Sequence, residues 1–365
     1  MKQSFYTERN QKNIQKIFEL QQDMPAFCRQ YFIGIENTTS PLTRLNYAYD
    51  LRLFFSYVAK YLYPDTPIRD ISLLQLEQIS AADIEGFLSY LSCYSREDGQ
   101  VEMCNEKAKA RKLSSIKSLF KYFFQKDKIS VDNSAKVASP KLHQKEIIRL
   151  NDSEVTEILS VSETGYGLSK RQQAYHEKTK LRDLAIITLF LGTGIRISEL
   201  VGLNNEDIDL DNLSFRVTRK GGNRMILYFS EEVADAIALY LEEKAAMIEK
   251  YKEEQRKKSV APQSKYDETA LFLSSQGNRI SVRAVECLVK KYAKIVTPNK
   301  NISPHKLRST YGTNLYQETR DIYVVADVLG HKDVNTTKKH YANISDNVRR
   351  EASTKVKLRK DTPNE

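Results

Sequence analysis

The sequence has few of the residues on which many activities are built. Its four cysteines, Cys28, Cys93, Cys104 and Cys287, are scattered, and no two form a C-x-x-C pair. Neither a zinc site nor a dithiol redox motif is indicated. There is no G-x-x-x-x-G-K-[ST] loop to cradle a nucleoside triphosphate, and no Asp/Glu cluster of the two-metal type. No metal, no cofactor and no small-molecule substrate is therefore expected. No stretch approaches the roughly 20 apolar residues of a membrane span, and the opening MKQSFYTERNQKN lacks the apolar run of a secretion signal. Four thiols in such a chain lead to the expectation of a reduced, cytoplasmic protein with no membrane partner.

What the chain has in excess is positive charge. Its 57 Lys+Arg stand against 47 Asp+Glu, a net charge of +10, and 21 Tyr and 14 Phe are interspersed among them. The resulting pI is near 9.1. That combination points to a polyanionic partner, nucleic acid ahead of an anionic membrane. With 365 residues the chain is long enough for two or three domains, each with its own core.

The first half reads as helices. Residues 6–22 suit one short polar helix. Ser40 can N-cap a helix with Pro41 at its first position, and Leu45, Leu51, Phe54, Phe55 and Val58 follow at roughly helical spacing. Ser80 and Asp83 form an approximate capping box before Ile84, Phe87, Leu88 and Leu91. In NEKAKARKLSSIKSLFKYFFQKDKI the apolar stripe is Leu113, Ile116, Leu119, Phe120 and Phe123. Lys107, Lys109, Arg111, Lys112, Lys117 and Lys121 supply a basic surface on that helix. One such helix is as well explained by a solvated face. With the small Ser114, Ser115 and Ser118 beside the charges, it also suits a phosphate backbone.

Small and polar residues around Pro140 mark a linker. Beyond it, Asn151 and Glu154 form a capping box. LRDLAIITLFLGTGIRISELVGL reads as a buried helix, a Gly-rich turn and a second helix, and LSFRVTRKGGNRMILYF alternates around Gly221-Gly222 as a β-hairpin does. Residues 163–180 read as a polar, basic insertion between helices. The expected fold is thus two-domain and mainly α. An all-helical N-terminal domain is joined to a mixed α/β domain, mostly helical with a small β-hairpin sheet. The divisions fall at 1–24 (an N-terminal extension), 25–130, a linker at 131–142, 143–350 and a tail at 351–365.

Four segments of the second domain carry candidate chemistry. They are Arg196 and Glu199 in GTGIRISEL, Lys220 in TRKGGNRM, His305 and Arg308 in SPHKLRSTYGT, and His331 and Tyr341 in LGHKDVNTTKKHYANI. Each alone has a bland reading. R-x-x-E is usually a surface ion pair, a hairpin-tip lysine is usually solvated, H-x-x-R arises by chance, and a late tyrosine is usually a packing residue.

In this order they resemble the catalytic signature of the tyrosine recombinase (phage integrase) family. Its box T-G-x-R-x-x-E-L is matched from Thr193 to Leu200, and H-x-L-R by His305, Leu307 and Arg308. L-G-H followed by a tyrosine about ten residues on is matched by Leu329, Gly330, His331 and Tyr341. TRLNYAYDLRLF fits the family's core-binding pattern at Thr43, Tyr47, Asp50, Leu51 and Phe54, and the basic Arg44 beside them is expected to contact DNA together with the basic surface of the later helix. The resemblance departs at Ser309-Thr310-Tyr311, where His-Thr-Phe or His-Ser-Phe is commonest. His340 reads as a surface residue beside the tyrosine rather than as a base.

The resemblance implies a helical core-binding (SAM-like) DNA-binding domain and a catalytic domain, closing as a C-shaped clamp on a double-stranded DNA recombination site. It implies Tyr341 as nucleophile forming a 3′-phosphotyrosine, Arg196 and Arg308 on the phosphate, Glu199 orienting Arg196, His305 as proton acceptor and His331 as a further donor. Lys220, in its Gly-rich hairpin, suits proton donation to the leaving 5′-oxygen. Lys290, Lys291 and Lys306 lie in no such hairpin. A homotetramer on two duplexes is implied. The tail from Ser345, with Val348, Ala352 and Val356 on one face, is expected to pack into a neighbouring subunit. Residues 1–24 are too few for the extra arm-binding domain of mobile-element integrases. The insertion at 163–180 is similar to that of Xer proteins acting without a paired partner. A Xer-like enzyme resolving chromosome or plasmid dimers is therefore expected, with an integrase or transposase of a mobile element, or a DNA invertase, as the alternative. A type IB topoisomerase and a non-catalytic DNA-binding relative stand further off.

Overall fold

Polar side chains set where the helices of the first half begin. The computed structural model describes residues 5–95, 98–141, 148–219, 222–257, 265–330, 333–335 and 337. The chain divides into two compact units, Met1–Lys145 and Glu146–Glu365. In the first, α1 (Phe5–Gln21) and α2 (Cys28–Gly34) precede α3 (Pro41–Tyr61). The Ser40 hydroxyl caps α3 by accepting the Thr43 amide at 3.2 Å, as the Ser-Pro pair predicts. A capping box at Ser72 opens α4 (Leu73–Gln78), and the predicted one at Ser80 and Asp83 opens α5 (Ala81–Tyr90). A two-stranded antiparallel ladder, β1 (Tyr94–Ser95) with β2 (Val101–Glu102), interrupts the helices. Strands of two residues carry no alternation for a sequence reading to detect. Asn105 then caps α6 (Glu106–Phe124), accepting the Ala108 amide at 2.9 Å.

The apolar stripes predicted from spacing form one core. Leu51, Phe54, Phe55 and Val58 of α3 are buried with Ile84 and Phe87 of α5 and Leu113, Ile116, Leu119, Phe120 and Phe123 of α6. Ile17 and Leu20 of α1 join them, so this helix is polar on one side only. A 3-10 turn, Asn133–Lys136, and buried Val137 pack back on the same core. One carboxylate is sealed within it. Asp50 accepts from Arg111, from Lys112 at 3.1 Å and from Ser115 at 2.9 Å, tying α3 to α6.

In the second unit, Asn151 and Glu154 form the predicted capping box at the start of α7 (Asp152–Thr164). The insertion is less solvated than its composition suggests, because it holds α8 (Lys170–His176), whose His176 is buried. Its Nδ1 lies 3.0 Å from the Tyr292 hydroxyl, which donates to Asp183 at 2.9 Å. Next, α9 (Lys180–Thr193) lies buried against α7 and leads to the short α10 (Ile197–Leu200). The predicted hairpin is β4 (Ser214–Thr218) with β5 (Arg224–Tyr228), and β3 (Ile208–Asp209) adds a strand on the β4 side. The chain continues through α11 (Glu231–Lys257), α12 (Val282–Val296), α13 (Pro304–Thr319) and α14 (Ile322–Leu329). Both α11 and α13 pack on α9. Among the described residues, no helix is long and apolar enough to cross a membrane.

Candidate active site at two glycine turns

The first turn follows α9. Thr193 Oγ1 donates back to Leu189 O at 2.6 Å and accepts the Ile195 amide at 3.3 Å. Gly194 then takes φ 62°. A Cβ there would stand 2.5 Å from Tyr311 Cδ1 and 2.8 Å from Leu329 Cδ2, so backbone and space both require glycine. The turn delivers Arg196 to the N-cap of α10. The Arg196 amide donates to Glu199 Oε2 at 3.0 Å, and its Nη1 donates to Oε1 at 2.8 Å. The Glu199 side chain is 4% exposed and that of Arg196 34% exposed. A buried carboxylate therefore orients a guanidinium that still reaches solvent.

The second turn ends α14 at Gly330, also at φ 62°. Three arginines from three elements converge here. Arg196 Nη2 donates to Gly330 O at 2.8 Å. Arg308, only 5% exposed on α13, donates through Nη2 to Leu329 O and through Nη1 to Gly194 O, linking the two turns. Arg219, just beyond β4, donates through Nη2 to Val328 O at 2.9 Å. A helix C-terminus presents unpaired carbonyls and partial negative charge, which is why cations collect at one. Burial lowers the Arg219 pKa from the ordinary arginine value, Glu199 and Asp327 oppose that shift, and Arg196 adds to it.

The departure after Arg308 has a structural reason. Thr310 Oγ1 accepts the Leu150 amide at 3.1 Å, fixing the chain ahead of α7. Tyr311 packs on Val325 and Leu329, and burial raises its pKa above the ordinary phenol value.

The structure thus brings together Arg196, Glu199 and Arg308. His305 lies exposed on α13, one turn before Arg308. Lys220, His331, His340, Tyr341 and the tail lie outside the described residues. Lys220 and His331 directly follow Arg219 and Gly330 in the chain. Arg219 itself escaped the sequence reading. Its one signal is a place in the basic run Arg219-Lys220, where the hairpin lysine drew the attention.

In the first unit the predicted basic surface divides. Lys107, Arg111 and Lys121 are exposed along one ridge of α6, with Ser114 between them. Lys109 donates to Ser92 Oγ at 2.6 Å, Lys112 to Asp50 and Lys117 to Val137 O at 2.7 Å. Arg44 is 7% exposed and pairs with Glu36 at 2.6 Å.

Paired arginine forks held on backbone carbonyls and one buried carboxylate can present permanently charged donors to an anion such as a phosphodiester. Comparison with known proteins agrees. Residues 149–347 match the phage integrase family, and residues 29–127 match the phage integrase N-terminal SAM-like domain. The chain belongs to the phage integrase family. Tyrosine recombinase XerC of Caldanaerobacter subterraneus subsp. tengcongensis is 34% identical over 336 residues, spanning 90% of this chain and 85% of the relative. Tyrosine recombinase XerS of Streptococcus uberis is 31% identical over 356 residues, 89% of this chain and 93% of the relative. The fold is similar to that of XerH site-specific recombinase bound to palindromic difH substrate in a post-cleavage complex. That likeness has a TM-score of 0.63 at 19% identity, over 87% of this chain and 81% of the other. It is also similar to the Tn1549 transposon integrase in complex with circular intermediate DNA, with a TM-score of 0.58 at 20% identity, over 90% and 99%.

Proposed function

We propose that the chain is a Xer-like site-specific tyrosine recombinase that resolves chromosome or plasmid dimers in the cytoplasm. Family and relatives make it an enzyme that cleaves and rejoins double-stranded DNA. The observation that carries the mechanism is the convergence of Arg196, Glu199 and Arg308 on the turns at Gly194 and Gly330.

A scissile phosphate gains charge on its non-bridging oxygens as a nucleophile attacks. Arg196 and Arg308 meet that charge with forked donors whose backbone anchors are already in place, and such aimed donors contribute about 3 kcal/mol each. Tyr341 is the nucleophile. At neutral pH roughly one phenol in a thousand is ionised, so its proton passes to His305 as the Oη–phosphorus bond forms. The bond from phosphorus to the 5′-oxygen breaks, and Lys220 protonates that oxygen. His331 donates a further hydrogen bond to the phosphate. The 3′-phosphotyrosine keeps the bond energy, so a second 5′-hydroxyl reverses the step without ATP. Lys107 and Lys121 are the members of the basic surface that face phosphates, while Lys109, Arg111, Lys112, Lys117 and Arg44, each held by a partner within the protein, keep that surface in shape. Four copies act on two duplexes.

Two experiments test this. Tyr341→Phe should abolish covalent complexes on a nicked suicide substrate while site binding stays within a few-fold; trapping of the Phe variant would sink the assignment. Mapping occupied sites on genomic DNA should find one chromosomal resolution site. Occupancy at the ends of a mobile element would establish the integrase alternative instead.

A further inference from the structure

Arg219 has no role in the mechanism above, yet it occupies the same three-carbonyl ladder. Its Nη2 holds Val328 O at 2.9 Å, while Arg308 holds Leu329 O and Arg196 holds Gly330 O at 2.8 Å. Its guanidinium also lies against the Gly330 backbone, since a Cβ on Gly330 would stand 1.9 Å from Arg219 Nη1. The enclosed Nε has no hydrogen-bond partner among the described residues, which makes this placement costly to stability. Such a placement persists where other contacts over-determine it.

We propose that Arg219 is a positioning residue for the phosphate clamp: it fixes the last turn of α14 and, through it, the guanidiniums of Arg196 and Arg308. The inference rests on the clamp reading given under the proposed function. The last turn of a helix frays when its carbonyls lack partners. With Val328 O released and the space beside Gly330 opened, the next two carbonyls lose their fixed position. The two arginines anchored on them then lose theirs.

The test compares two DNA substrates. A methylphosphonate at the scissile position replaces one charged oxygen by methyl, so less charge has to be met. Arg219→Ala should bind the site within a few-fold of wild type but cleave the ordinary phosphodiester about 10- to 100-fold more slowly, the scale of a misplaced group. Relative to wild type on each substrate, most of that loss should disappear on the methylphosphonate, as it should for Arg308→Ala run alongside. Equal loss on both substrates, with Arg308→Ala relieved, overturns the proposal alone. If Arg308→Ala is not relieved either, the clamp reading falls and this proposal with it. Rescue by a 5′-bridging sulfur in place of the methylphosphonate would assign Arg219 to the leaving group and also overturn it. Should Arg219→Ala fail to fold, Arg219→Lys keeps the stem and charge without the fork, and the same comparison applies to it.

Discussion

Arg219 and Lys220 are neighbours in the sequence, and their side chains suit opposite tasks. A guanidinium stays protonated throughout the working pH range, so it can anchor but cannot release a proton to a leaving group. An ammonium can do so. If Lys220 protonates the departing 5′-oxygen, its loss should be repaired by a leaving group that needs no proton. A substrate with sulfur bridging at the 5′ position expels a thiolate, which is stable near pH 8. Lys220→Ala should cleave the ordinary phosphodiester very slowly and the sulfur substrate nearly as fast as wild type. His305→Ala, whose proposed role is at the nucleophile, should gain much less. Equal defects of Lys220→Ala on both substrates would reduce Lys220 to a phosphate contact. At this scale the sequence named Arg196, Glu199 and Arg308 because each stands at a fixed step from a glycine or histidine in its box. It offered no such mark for Arg219, whose partners, Val328 and Gly330, are more than a hundred residues away.

Elements divide the basic residues that sequence spacing groups together. On α6, Lys107 and Lys121 are exposed, whereas Lys112 ends on buried Asp50. Replacing Lys107 and Lys121 with Ala should leave thermal stability nearly unchanged and lower the salt dependence of DNA binding by about one unit of slope per phosphate contact. Asp50→Ala should instead destabilise the first unit by about 3–5 kcal/mol, because it leaves Lys112 largely buried and unpaired. A melt and a salt titration of each variant separate the two outcomes, and an unchanged slope for the double lysine variant would remove α6 from the interface. The capping boxes and apolar stripes were legible because they are local. The inward turn of Lys112 and Lys117 was not, since their acceptors, Asp50 and Val137, come from other segments. In the second unit Lys244 of α11 is equally hidden from sequence. Its Nζ is enclosed by Asn205 Oδ1 at 2.8 Å, Leu271 O at 3.1 Å and Ala270 O. Burial pushes its pKa down to about 8. The unfolded chain, with an ordinary lysine near 10.4, then binds more protons than the native one between those values, so this residue's contribution rises with pH there. Denaturant titrations should show wild type gaining on Lys244→Met from pH 8 to 10; a constant difference would contradict the depressed pKa. At every pH the variant should also lose about 1–3 kcal/mol through its unpaired carbonyls.

Across the whole molecule the net charge of +10 and the phosphoryl chemistry proposed for the two arginines make separable demands on solution conditions. Charge acts on binding. A cationic protein releases condensed counterions from DNA, so affinity falls steeply with salt, and divalent cations compete more strongly than monovalent ones. The cleavage step, with Arg196 and Arg308 supplying the positive charge at the phosphate, has no position to be filled by Mg²⁺ in the proposed chemistry. Magnesium should therefore weaken or leave unchanged the occupancy of the site while leaving the rate of covalent complex formation, measured at saturating protein, as it is. EDTA should leave that rate unaltered at matched ionic strength. The rejoining half-reaction should behave the same way, since attack of a 5′-hydroxyl on the phosphotyrosine retraces the same transition state with the same two guanidiniums. A rate of cleavage that collapses in EDTA at saturating protein, and returns with Mg²⁺, would mean that the arginines do not carry the charge compensation. The pairing of Arg196 with Glu199 and of Arg308 with the two turns would then be structural only.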